Sequence, residues 1–419
     1  MSVGGEEVID LMTVQLSLWN FVSLAAVVPG LLLAFFLLVN QKGQRRANRF
    51  LALLVFVYAL DIGLETLYAL PQIVDYTFLI GVNDVLFFLY GPLLFLYAAA
   101  LTAPTDQPGK AWWFHFLPCL LLIGIYALTL FSQSPTIKLQ SEGIESFQQA
   151  TASRFAITAT WRSYLEFASG IHELIYIGFT LRLLRAHTQR IKETFSKIDE
   201  INLNWLRLLT ALTGLIVAVD LALFCFVQAN ALAFDKAVSV ILLLCALLIY
   251  AIGYMGLRQP EIFSAAIVGN DKTPAFEPDN SPLPDTAETE PGREKYYKSS
   301  LTSEQAEAGV AQLLEAMAAQ KFYLQGDLKL SEVAEALRLS PNNLSQLLNE
   351  QLGKNFYDFV NGYRVEAAKE LLTDPAQDNL TLLAIAYEAG FNSKSTFNSV
   401  FKKHCQVTPS EFKKRRTTS

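Results

Sequence analysis

Apolar residues fall into seven helix-length blocks over the first 258 residues, at about 17–39, 50–70, 79–102, 113–132, 164–184, 206–228 and 237–257. A helix of about 20 mostly apolar residues is long enough to cross a bilayer. Blocks of this length predict helices rather than buried sheet strands. A lipid-spanning backbone must also satisfy its hydrogen bonds internally, and these lengths suit helices better than barrel strands. Beyond Arg258 the pattern changes twice. From about Asn270 to Gly292, prolines (Pro274, Pro278, Pro282, Pro284, Pro291) mix with acids (Asp271, Glu277, Asp279, Asp285, Glu288, Glu290). Such a stretch buries too little apolar surface to repay ordering and predicts an extended acidic tether. After it, short amphipathic periods begin with Val310, Leu313, Leu314 and Met317 at helical spacing.

The expected architecture is therefore all-α: a seven-helix transmembrane bundle over 1–258, a juxtamembrane segment and disordered linker over 259–298, and a soluble helical domain over 299–419. The chain is 52% hydrophobic with net charge −6, but that average hides the halves. Loop cations carry more information. The first loop has Lys42, Arg45, Arg46 and Arg49, and the loop after the fifth block has Arg185, Arg190, Lys192 and Lys197. The second loop has none and the sixth has only Lys236. The positive-inside bias predicts an N-terminus outside the cytoplasmic membrane and everything after Arg258 in the cytoplasm. The first fifteen residues hold Glu6, Glu7 and Asp10 without Lys or Arg, unlike a secretory leader. Four cysteines, none in a CxxC pair, argue against a disulfide framework or a structural zinc.

Two helix-turn-helix patterns follow one another in the C-terminal part. In "TLLAIAYEAGFNSKSTFNSVFKK", Thr381 caps a first helix, Ala386 is small enough to be crossed closely, and Gly390 sits at the turn. Ser393 caps a second helix whose Phe397, Val400 and Phe401 point inward. Lys394, Ser395, Asn398, Ser399 and Lys402 take the opposite face, where short polar groups suit base-edge reading in a major groove. In "LSEVAEALRLSPNNLSQLLNEQLGKNF", Ala334 takes the small position, Ser340 caps and Pro341 starts the helix. Leu344, Leu347 and Leu348 point inward, with Asn342, Ser345, Gln346 and Asn349 outward. "FYDFVNGYRVEAAKELL" lies between the two as an amphipathic strut.

Through "YRVEAAKELL", "IAYEAGFNSKSTFNSVFKK" and "VTPSEFKK", the last hundred or so residues resemble the double helix-turn-helix domain of AraC/XylS-family transcription regulators. The resemblance implies two recognition helices entering successive major grooves of double-stranded DNA. It carries base-reading roles onto Asn342, Ser345 and Gln346, and onto Lys394, Ser395 and Ser399, with Lys402 as a further DNA contact. No Arg stands at these positions for bidentate guanine reading. Three residues depart from the family pattern: Arg338 and Gln406 where Gly is usual, and Lys329 where a Thr or Ser cap is common. "YGPLLFLYAAALT", "HFLP", "FSKIDEINLNWLRLL" and "IGYMGLRQPEIF" resemble, less specifically, the seven-helix sensor modules fused to such domains.

Charged residues at bilayer depth are costly and usually face a bundle interior or cavity. Asp61, Glu65, Asp84, Glu166, His172, Glu173 and Asp220 are the candidates for such a polar cavity, open to a cation, protons or a metal. The plain alternative is hydrogen bonding between helices. A three-His catalytic site cannot be assembled in the membrane, because His172 alone lies well inside a span. With no defensible hydrolase triad, phosphate loop or kinase motif, neither an enzyme nor a cofactor is expected. The leading expectation is a membrane-anchored one-component regulator with sensor and DNA-binding output in one chain. Its partners would be promoter DNA, the lipid bilayer and a small-molecule or protein signal, with homodimerisation left open. Coupling through the seventh helix and "GLRQPEIF" into the tether is one route. The alternatives are a membrane transporter or receptor-like protein with an accessory DNA-binding domain, and proteolytic release of a soluble regulator.

Overall fold

The computed structural model describes residues 18–40, 44–68, 79, 82–103, 112–132, 156–199, 201–258 and 302–417. Most of these residues are helical, and no strand longer than an isolated bridge occurs among them. The acidic linker expected over 259–298 lies outside the described residues. The chain divides into two compact units: Met1–Leu184 with Asn204–Ala275, and Arg185–Leu203 with Phe276–Ser419.

The first unit contains α1 (Leu18–Val39), α2 (Arg45–Tyr68), α3 (Val82–Thr102) and α4 (Leu117–Ser132). It also holds the first part of α5 (Ala156–Thr194), α6 (Asn204–Gln228) and α7 (Phe234–Arg258). Each of the seven predicted apolar blocks overlaps one of these helices, with a 3-10 turn over Trp112–Phe116 ahead of α4. Four segments are long and apolar enough to cross a membrane: Arg45–Leu67, Val82–Thr102, Asn204–Gln228 and Lys236–Met255. Ala25–Val39 and Trp112–Ile125 are shorter apolar helices. The block at 164–184 lies within the 39-residue α5, where Glu166, Glu173 and Arg182 interrupt the apolar run.

Much of the interior of this unit is apolar, with Leu51, Val55 and Ile62 of α2, Leu93 and Tyr97 of α3, and Ile249 and Ile252 of α7 fully or almost fully buried. Its outward side is apolar too: Phe35, Leu121 and Leu215 are each more than 60% exposed. Buried Thr66, Thr102, Thr180, Thr210 and Thr213 return their hydroxyl protons to carbonyls one turn back in their own helices. Such back-bonding satisfies a hydroxyl where water is absent. At Gly91 a Cβ would lie 2.8 Å from Cβ of Tyr176, so glycine permits the close approach of α3 and α5.

The second unit contains α8 (Ser303–Gln320), α9 (Leu330–Ala336), α10 (Pro341–Gln346), α11 (Phe356–Thr373), α12 (Leu382–Glu388), α13 (Lys394–Cys405) and α14 (Pro409–Thr417). The end of α10 widens into a π-turn over Leu347–Gln351. Two cores form. One joins α8, α9 and α10 to the start of α11 through Leu313, Met317, Val333, Ala334, Leu344, Leu348, Phe356 and Val360. The other joins the rest of α11 to α12 and α13 through Val365, Leu372, Ile385, Ala386, Phe397 and Phe401. The strut α11 is thus shared, with one end in each core.

Candidate nucleic-acid interface

Local sequence sets each recognition element. Ser340 accepts from the Asn343 N–H at 3.1 Å, Pro341 opens α10, and Leu344 is fully buried beneath it. Thr381 accepts from the Ala384 N–H at 3.1 Å and starts α12. Ser393 accepts from the Thr396 N–H at 3.1 Å and starts α13. A side-chain cap of this kind contributes about 1 kcal/mol. Phe397, Val400 and Phe401 are buried as the helical period predicts, which turns the other face of α13 outward.

Gly390 makes the second turn possible. Its φ is +87°, and a Cβ there would stand 2.4 Å from the Tyr323 carbonyl oxygen. The three departures also resolve into geometry. Arg338 and Gln406 adopt φ of 55° and 61°, the left-handed region that glycine would occupy without strain. Gln406 closes α13, donating its N–H to the Lys402 carbonyl and its Nε2 to the Lys403 carbonyl. Lys329 precedes α9 without a capping hydroxyl; Glu332 instead accepts its N–H at 2.8 Å.

In the first recognition helix Asn342 is exposed, while Ser345 and Gln346 are half-buried. Gln346 Nε2 donates to Glu350 at 2.9 Å, and Asn349 Nδ2 donates to Ser345 Oγ at 3.3 Å. In the second, Lys394, Ser395, Ser399 and Lys402 are exposed. The Ser399 hydroxyl donates to the Thr396 carbonyl at 3.0 Å, so it must rotate to present its proton to a base. Lys403, next to Lys402, is bound to Asp358 at 2.7 Å. Burial raises the Asp358 pKa, but Lys403 outweighs it by hydrogen bond and charge, holding the carboxyl below its ordinary range.

Arg364 went unmarked in the sequence. It is 2% exposed, and it donates to the carbonyls of Tyr323 (2.8 Å), Gln325 (2.7 Å) and Gly326 (3.2 Å), just ahead of α9. Its guanidinium also lies 5.9 Å from the Phe391 ring centroid in the second turn. Burial pushes its pKa down to about 10, still charged near neutrality. "YRVEAAKELL" contained the residue, but nothing in a helical repeat marks an inward arginine as the tie between two reading units.

In the first unit the predicted polar residues separate into groups. Asp61 lies within electrostatic reach of Glu65, Asp84 and Asp220, and Glu173 within reach of Asp220. Asn83 Nδ2 donates to Glu65 at 2.9 Å, and the buried Asp61 carboxyl lies beside the Tyr90 hydroxyl. The His172 ring lies 5.2 Å from that of Phe88 and 4.9 Å from that of Tyr176. Glu166 is half-buried. Among the described residues no three His, Cys, Asp or Glu side chains are grouped to hold a metal ion.

A pair of helix-turn-helix motifs is the class of fold this second unit defines. Residues 333–415 match the family described as "Helix-turn-helix domain". The chain is 34% identical over 93 residues to the regulatory protein PocR of Salmonella typhimurium, covering 22% of this chain and 30% of that protein. It is 34% identical over 93 residues to an uncharacterized HTH-type transcriptional regulator of Staphylococcus aureus strain COL, covering 22% and 12%. A Haemophilus influenzae HTH-type transcriptional regulator is 31% identical over 90 residues, covering 22% and 29%. The chain thus spans less than a third of the length of each of these relatives. No solved structure matches the chain. The matches support a DNA-binding transcription regulator with an AraC-type helix-turn-helix domain. Proteins of that kind are generally not enzymes.

Proposed function

We propose that this protein is a membrane-anchored transcription regulator that reads DNA through α10 and α13 under the control of a signal received in residues 1–258. The observation that carries the reading is the pair of capped helices, each with a buried apolar stripe and a polar outer face. Asn342, Ser345, Gln346, Lys394, Ser395 and Ser399 read base edges, and Lys402 contacts phosphate. Four helices of crossing length and the exposed apolar side chains of the first unit support an anchor in a lipid bilayer. Loop cations favour the cytoplasmic membrane, with the N-terminus outside and residues 299–419 in the cytoplasm. Residues 259–298 serve as the tether.

The signal site in this reading is the carboxylate group of Asp61, Glu65, Glu173 and Asp220. Carboxylates buried at Asp61 and Glu173 suit a cationic ligand or a proton. The same group supports a second reading, a transporter with an accessory DNA-binding domain. Neutral isosteres, Asp61→Asn with Glu173→Gln, separate the two: a sensor loses regulation of its genes without losing solute flux.

The deciding experiment is a genome-wide footprint of tagged full-length protein. Sharp, sequence-related sites that vanish with Lys394→Ala support the regulator. Absence of enrichment over an untagged control removes it.

A further inference from the structure

Residues 185–203 contribute no base-reading side chain, yet they are built into the DNA-reading unit. Ile191 and Ile198 are buried in its second core, with Phe195 and Ile201 packed against it. The Lys192 ammonium lies 5.6 Å from the ring centroid of Tyr357. His187 Nε2 and the Ile201 carbonyl, 3.3 Å apart, close the segment on itself.

Its polar contacts reach three different parts of the reader. Phe195 pairs with Lys329 in an antiparallel bridge at the threshold of α9. The Ser196 N–H and hydroxyl both donate to the Leu328 carbonyl, at 3.1 and 2.7 Å. The Ser196 carbonyl accepts from Asn361 Nδ2 at 3.2 Å and from Arg364 Nη1 at 3.3 Å, and its Oγ accepts from Arg364 Nη2 at 3.1 Å, all on the strut. Asp199 Oδ2 accepts from the hydroxyls of Ser393 and Thr396 in the capping turn of α13. Ser196 and the buried side chains of Asn361 and Arg364 are all at most 2% exposed. Removing the segment would leave buried donors of Asn361 and Arg364 short of acceptors, which a folded protein tolerates poorly.

The segment begins as the last turns of α5, one unbroken helix from Ala156 to Thr194. Phe195 follows its last residue without an intervening loop. A packed rigid helix carries displacement in a way that an extended acidic tether does not.

We propose that residues 185–203 are a clasp that couples α5 to the DNA reader. Docked, it holds the strut and the cap of α13 in one arrangement, with the two recognition helices at a fixed separation. Released by movement of α5, it lets them part, and specific binding falls because the second helix no longer meets its groove when the first does. This rests on the reading that α10 and α13 bind DNA.

The test uses the full chain in detergent or membranes, with a specific protease site inserted between Pro282 and Leu283. Residues facing each other across an antiparallel bridge stand at a separation suited to a disulfide. Phe195→Cys with Lys329→Cys is expected to keep the two fragments joined after cleavage until reductant is added, unlike either single variant. Binding is then measured on the DNA most enriched in the footprint and on random DNA. Ser196→Gly with Asp199→Ala is expected to weaken specific binding at least tenfold and random binding less than twofold. Adding the disulfide to that double variant is expected to restore specific affinity, which a misfolded domain would not do. No cross-link above the single variants overturns the docking. Specific affinity unchanged in the double variant overturns the coupling. A wild-type chain that enriches no DNA overturns the DNA reading, and the coupling with it, while the cross-link still reports the docked segment.

Discussion

Gln406 ends α13 with φ 61°, and Gly390 turns the chain between α12 and α13 with φ +87°. The same backbone region carries opposite consequences at the two sites. At Gln406 an L side chain accepts a left-handed conformation, so Gln406→Gly is expected to raise stability by about 1 kcal/mol, less the lost bond to the Lys403 carbonyl. At Gly390 a methyl group would strike the Tyr323 carbonyl and Leu324, so Gly390→Ala is expected to cost at least about 2 kcal/mol. Pulse proteolysis of the full chain measures both. The exposed lysines of α13 separate by role in the same residue-level way. Lys402→Ala is expected to weaken binding to all DNA and to flatten its salt dependence by about one unit of slope. Lys394→Ala is expected to change preference among sequences, and equal loss on specific and random DNA would make Lys394 a phosphate contact instead.

Among the elements, α11 bears the most unlike neighbours. Its first turn is capped by Asn355, which accepts the Asp358 N–H at 2.8 Å, and Asp358 in turn holds Lys403 of α13. The Asp358 carboxyl titrates below its ordinary range, so its contribution to folding is present above about pH 4, where the unfolded carboxyl ionises. It is lost as pH falls through the lower folded value. The Lys403 side chain is 59% exposed, so screening holds the pair to about 0.5–1 kcal/mol. Asp358→Asn is therefore expected to lower stability at pH 7 and leave it nearly unchanged at pH 2, as read by urea unfolding across that range. An equal loss at both values would point to the Asn355 contact rather than to charge. The element least legible beforehand was the short run after α5. Arg185, Arg190, Lys192 and Lys197 read as a cationic loop, and only the fold shows Ile191, at the end of α5, and Ile198, after it, inside the second core.

At the scale of the whole chain, an apolar first unit and a polar, cap-rich second unit make different demands on solvent. The full chain is expected to stay with the membrane fraction through high-salt and alkaline washes and to leave it only with detergent. Release by salt alone would contradict the bilayer anchor. If α5 carries the coupling, deleting residues 272–290 is expected to leave the footprint unchanged, whereas a footprint redrawn by that deletion would give the tether a directing role. A blot showing only full-length protein under inducing conditions would exclude proteolytic release.

Sequence periodicity by itself determined which segments are helical, which residues of α10 and α13 turn inward, and where their caps fall. These are local quantities, set by 3.6-residue repeats and by side-chain oxygens within three residues of a free N–H. Tertiary structure alone decided what Arg364 does and where residues 185–203 belong. Those outcomes depend on contacts between residues far apart in the chain, such as Arg364 with Tyr323, and Ser196 with Leu328 and Arg364. Nothing in the spacing of either partner encodes them. A buried guanidinium must find acceptors wherever the fold brings carbonyls together, and here one of them arrives on the end of α5.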